Sequence, residues 1–161
     1  MAVVFAASSA TATTFDDVTI EELARASDIV VLGQVELVDC HDQGPAGQSG
    51  IHTRAVVRVT ETLHGENERL LELWVHGGRI GDTARLVPSQ ATFREGERVA
   101  LFLFRSRGAL WLTGMGRGKW VISDSGSAAP WIRDGIVDAS TGRIDVGVLR
   151  SRVLLAVSRR P

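Results

Sequence analysis

The chain has 161 residues, 44% of them hydrophobic and 23% charged, and a formal net charge of −1. That is enough chain for one domain with its own core, and the composition excludes wholesale disorder. The near-neutral charge gives no general attraction to nucleic acid or to an anionic membrane surface. A single cysteine, Cys40, excludes an intrachain disulfide and a cysteine-based zinc site.

Residues 1–14 read as the end of a secretion signal or a tail, with residues 15–161 as one domain. Val3 to Ala7 are apolar and Ala10-Thr11-Ala12 is a small-x-small cleavage pattern, although no basic stretch precedes them. Export to the periplasm or the medium is therefore the expected localisation. Lys119 is the only lysine among 18 basic residues, a bias that hints at a GC-rich bacterial genome. No stretch is long enough to span a bilayer as an apolar helix.

From Asp17 to Asp28 the chain predicts a short helix. Thr19 and Glu22 have capping-box spacing, and Ile20, Leu23 and Ala24 form its apolar stripe. Ile29 to Val38 predicts a strand, apolar on both faces at first and then alternating, with Gly33 as a bulge or bend. A flexible loop follows over Asp42 to Gly50. Ile51 to Leu63 alternates cleanly: Ile51, Thr53, Ala55, Val57 and Val59 face one way, His52, Arg54, Arg58 and Thr60 the other. Leu70 to His76 returns as its hairpin partner, with Glu72, Trp74 and His76 outward.

Gly77 to Glu97 reads as a long connection anchored by Phe93, and Arg98 to Phe104 as a central or covered strand. Ala109 to Thr113 and Lys119 to Ile122 predict further strands, joined by Gly114 to Gly118 as a bulged edge turn. Ser123 to Ala129 reads as a small-residue linker. Trp131-Ile132, Gly135 to Val137 and Arg143-Ile144 predict a short β-segment. A C-terminal amphipathic helix capped by Asp145 closes the chain, with Val146, Leu149, Val153, Ala156 and Val157 on one side. The fold class is mainly β: a closed or partly open antiparallel barrel flanked by two helices, the second expected over an open barrel end.

Several segments carry a family likeness: Ala26 to Val35, Val57 to Gly65, Gly77-Gly78, Phe93 to Phe104 and Gly114 to Val121. They resemble a group of exported bacterial domains of uncharacterised function. More distantly, they resemble the netrin-like module of tissue inhibitors of metalloproteinases, an OB-type barrel. The likeness spans roughly residues 17–123 and implies the fold. In those inhibitors a disulfide-tethered N-terminal cysteine clamps the protease zinc, and this chain has only Cys40, so the inhibitory residues do not carry over.

No catalytic centre is recognisable. The histidines His41, His52, His64 and His76 lack helical metal-ligand spacing, although His52 and His76 are expected to approach each other across the hairpin. Asp124-Ser-Gly-Ser127 echoes a serine-protease nucleophile segment without a base to serve it. Gly114 to Gly118 does not lead into a helix, as a phosphate cradle would. Of the tryptophans Trp74, Trp111, Trp120 and Trp131, Trp74 is the one that alternation turns outward.

The candidate binding surface is therefore His52, Arg54, Arg58, Glu72, Trp74 and His76, suited to an anionic or sugar-like ligand. No catalytic residue, metal ligand or cofactor is assigned. The expected function is a noncatalytic exported binding or inhibitory module with a protein or polysaccharide partner. Two alternatives stay open: a hydrolase or metal-dependent enzyme with a dispersed site, and a nucleic-acid-binding OB domain, which the neutral charge disfavours.

Overall fold

The computed structural model describes residues 18–131 and 142–159. Its scaffold is one long antiparallel pair, β1 (Ile29–Gln43) and β2 (Ser49–His64). Strand β3 (Leu70–His76) folds back on β2 with His52 opposite His76 and Arg54 opposite Trp74, the hairpin that the alternation predicts. Strand β6 (Arg98–Ser106) pairs with the first half of β1, and β7 (Ala109–Leu112) pairs with β6.

Strand β7 then meets β3 in parallel, through Leu73 opposite Leu110 and Trp74 opposite Trp111. Strands β1-β2-β3-β7-β6 thus follow one another in a circuit back to β1. The result is a mainly β, partly closed barrel whose last seam is two residue pairs long. Beyond β6 the sheet continues into β8 (Lys119–Ile122), β9 (Ser127–Pro130) and β10 (Ile144–Asp145).

Strand β1 serves two partners because it is bent. Its register with β2 shifts between Leu32 and Gly33 and again between Val35 and Leu37, and such bulges sharpen the local twist. A Cβ on Gly33 would stand 2.5 Å from the Arg58 carbonyl oxygen. Only glycine allows that approach, as the break in the sequence pattern suggests.

Two cores explain why β1 and β6 are apolar on both faces. Val31, Val35, Val57, Leu71, Leu73, Leu101 and Leu103 fill the barrel. Val30, Leu32, Ala100, Phe102 and Trp120 point outward, where α1 (Ile20–Ala26) and α2 (Val146–Ser158) cover them. The helix pair therefore lies on the outer face of β1, β6 and β8, not over an open end as expected. That outer face carries the apolar surface that needs covering.

The predicted caps are present. Thr19 Oγ1 accepts from the Glu22 backbone N–H (3.2 Å) while the Thr19 N–H donates to Glu22 Oε2 (2.8 Å), and Asp145 accepts from the Gly147 N–H. Two bidentate pairs, Arg152 with Glu21 and Arg150 with Glu61, tie α2 to α1 and to β2. Leu149, Val153 and Ala156 are buried as expected. Val148, Leu154 and Leu155 are exposed, so α2 is also apolar outside its buried stripe.

Three connections differ from expectation. The Gly77 to Glu97 stretch contains its own hairpin, β4 (Gly78–Ile80) with β5 (Thr83–Arg85). Residues Met115–Gly118 form a 3-10 turn rather than a bulge. Ser123 to Ala129 is the β8–β9 hairpin, closed by the Ser123 N–H on the Ser127 carbonyl at 2.8 Å. The secretion-signal stretch and residues 132 and 135–137 lie outside the described residues. Among those described, no helix is long and apolar enough to cross a membrane.

Candidate functional site

The outward face of β1, β2 and β3 collects three of the six predicted residues, Arg54, Glu72 and Trp74, into one constellation. Arg54 is its hub. Its Nε and Nη2 donate to Asp39 Oδ1 and Oδ2 at 2.9 and 2.7 Å, a bidentate fork, and Nη1 reaches Glu72 Oε2 at 3.3 Å. Trp74 Nε1 donates to Glu72 Oε1 at 3.1 Å. His41 lies against the Trp74 ring, centroids 5.3 Å apart, with Nε2 3.1 Å from Asp39 Oδ1. The Arg54 fork holds the Asp39 carboxyl below its ordinary pKa, and Asp39 in turn raises that of Arg54.

A second layer lies beside it. His52 is 1% exposed, which corrects its expected place on an open face. The alternation is right, but the Gly44 backbone folds over the imidazole so closely that a Cβ there would meet the ring at 2.9 Å. Trp111 approaches from the β7 side, with centroids 6.2 Å apart. His52 Nδ1 stands 2.6 Å from the Gly50 carbonyl oxygen, an acceptor only, so Nδ1 carries the hydrogen. In the neutral ring Nε2 is then an acceptor, and His76 Nδ1 donates to it across 3.0 Å. His76 stacks on Trp111 at 4.8 Å.

The expected approach of His52 and His76 is thus real, and its chemistry is that of a hydrogen bond between one buried and one half-buried imidazole. Burial, helped by His52 and by the charge of Arg85, lowers the His76 pKa from its ordinary 6.5. The unfolded chain therefore binds a proton near pH 6.5 that native His76 resists. Stability is full above about pH 6.5 and falls on acidification, with a slope from this group of at most about 1.4 kcal/mol per pH unit. Melting temperatures between pH 8 and 5 should show this fall in the native protein and a shallower one in His76→Gln.

Arg58 stays apart. It is exposed and ion-paired with Glu36, further along β2. Both arginines of the predicted surface are therefore matched by carboxylates, which removes the excess positive charge that would favour an anionic ligand. Trp111 and Trp120 are buried, and Trp131 packs against the barrel core, so Trp74 alone presents a tryptophan ring on this face.

The surface expected from the sequence leaves out Asp39, His41 and Trp111, of which His41 and Trp111 stand among the histidines and tryptophans considered there. The first two were legible in principle, since alternation continues past Val38 through Asp39, Cys40 and His41. Trp111 arrives through the parallel seam, which no local pattern reveals. Among the described residues, no group of three or more His, Cys, Asp or Glu side chains is placed to hold a metal ion. Ser123, Ser125 and Ser127 bond within their own hairpin turn. No family model matches the chain, and a search of the curated proteins finds no match.

Proposed function

We propose that the protein is a noncatalytic exported binding module of the OB-type, netrin-like class, taking a neutral polysaccharide on the face around Trp74. The observation that carries this reading is the Asp39–Arg54–Glu72 network locked around a partly exposed indole. An indole face suits the C–H face of a sugar ring, and pre-ordered carboxylates with free lone pairs suit its hydroxyls. Glu72 is about half exposed, so its remaining acceptor sites are open to a ligand.

The strand circuit supports the fold-class part of the reading. Five strands, β1-β2-β3-β7-β6 and back to β1, make a circuit that closes through one short junction, which suits the five-stranded, partly open barrel of the OB type. Export rests on the apolar run and the Ala10-Thr11-Ala12 pattern. Balanced charge on the face argues against nucleic acid, which calls for unpaired basic side chains.

Calorimetric titration against a panel of neutral oligosaccharides tests the proposal. Trp74→Ala should weaken binding of any ligand found by about tenfold or more, roughly 1.4 kcal/mol, with the melting temperature little changed. Unchanged affinity across the panel would overturn it. Salt-sensitive binding of single-stranded DNA would favour the nucleic-acid alternative instead.

A further inference from the structure

Helix α2 carries apolar side chains on the face turned away from the barrel. Leu149, Val153 and Ala156 point into the outer core, and half a turn round the helix lie Val148, Ser151, Leu154 and Leu155. The three apolar members of this outward stripe are 45–57% exposed. No member is charged. Its serines are satisfied within the helix, Ser151 Oγ donating to the Gly147 carbonyl and Ser158 Oγ to the Leu155 carbonyl, each at 3.0 Å. Arg150 and Arg152 border the stripe on its two sides, but both turn back on the body of the protein in bidentate pairs with Glu61 and Glu21. A solvated helix face carries charged and polar side chains, whereas a neutral apolar one marks a contact surface.

The stripe is complementary to itself. Val148 and Leu154 stand at equal distances before and after Ser151. A twofold axis through Ser151 therefore sets Val148 of each helix against Leu154 of the other, with Leu155 alongside. The small serine at the crossing lets the two helix axes approach closely. The helix ends match as well. Exposed Asp145 caps the first turn and exposed Arg159 follows the last, so an antiparallel pair brings each acid to the other's arginine. Because Arg150 and Arg152 are neutralised within each chain, the axis brings no uncompensated like charges together. A membrane surface would instead favour unpaired basic side chains along the borders of the stripe.

We infer that α2 pairs with α2 of a second copy of this chain in an antiparallel, twofold contact. The apolar stripe and the two helix ends form a surface smaller than the roughly 800 Å2 per partner of a standard interface. The dimer is therefore weak, with a Kd on the order of 0.1 mM. It uses no residue of the Trp74 face, so failure of the polysaccharide reading leaves it standing.

Sedimentation equilibrium of the full chain from about 10 µM to about 1 mM should show the mass rising from the 17.3 kDa monomer toward twice that value. Leu155→Glu should stay monomeric throughout, with the melting temperature little changed because the position is exposed in the monomer. Ser151→Cys, in a Cys40→Ala background, should form an intermolecular disulfide on mild oxidation several-fold faster than Ser158→Cys, which lies away from the axis. Three results each overturn the proposal: a monomer at about 1 mM, self-association that Leu155→Glu leaves intact, or cross-linking of Ser151→Cys no faster than that of Ser158→Cys. Binding to phosphatidylcholine vesicles that Leu155→Glu abolishes, without self-association, would give the face to a membrane and overturn it equally.

Discussion

Replacing Lys119 with alanine should destabilise the protein by about 3–5 kcal/mol, the usual result of removing one partner from a buried ion pair. Lys119 is fully buried, and its ammonium has three neighbours. Nζ donates to the Thr92 carbonyl at 2.6 Å and to Glu97 Oε2 at 2.5 Å, and it stands 4.5 Å from the centre of the Phe93 ring. Together these hold residues 92–97 across the barrel. Burial lowers the lysine pKa despite the opposing pull of Glu97, so the charged form is held against its desolvation rather than simply rewarded.

That balance sets the controls. Lys119→Met keeps much of the stem packing but leaves Glu97 in a mostly buried place without its cation. It should remain destabilised. The double variant Lys119→Met/Glu97→Gln removes both charges and should recover most of the loss. Urea denaturation midpoints for the four proteins would check this. A double variant as weak as either single one would show that packing of the lysine stem, not the charge pair, matters there.

Phe102→Ala should cost about 3–5 kcal/mol. Among the described residues Phe102 is the largest fully buried side chain, and it lies in the outer core between β6 and the helix pair. Truncation there leaves a cavity under α1 and α2, which are otherwise fastened by Arg152–Glu21 and Arg150–Glu61. Amide exchange in both helices should therefore accelerate, whereas the interior of the barrel should keep more of its protection. Phe102→Leu should lose less, because it removes less buried volume.

Much of the fold is legible where short-range patterns decide it. The Thr19–Glu22 box, the Gly33 break and the doubly apolar β6 each follow from residues within a few positions of one another, and the β2–β3 hairpin follows from two alternating segments joined by a short loop. What escapes depends on distant pieces of chain. His52 alternates outward correctly, yet the Gly44 to Gly50 loop and Trp111 bury it. Lys119 reads only as the start of a strand, with nothing local to mark it as buried; Trp120 and Ile122 take the helix-covered face and leave Lys119 directed at the barrel. The β4–β5 hairpin is hidden because three-residue strands carry too little alternation to stand out from a glycine-rich connection.

The candidate site divides in the same way. Arg54, Glu72 and Trp74 come together because one hairpin register places them. Asp39 and His41 require β1 to run on past Val38, to Gln43. Charge balance on the face was not legible at all, because it depends on which carboxylates the bent β1 delivers to Arg54 and Arg58.

The two-pair parallel seam between β3 and β7 also bears on how the molecule folds and breathes. It joins residues far apart in sequence, so its closure must overcome the entropy of a long loop with little hydrogen bonding in return. It should form late and open first. The rings of His76 and His52 lie against Trp111 across that junction, acting as a clasp where the backbone supplies few bonds. A ligand stacked on Trp74 would lie beside the clasp, so binding on the outer face and the kinetic integrity of the barrel would be one property measured in two ways.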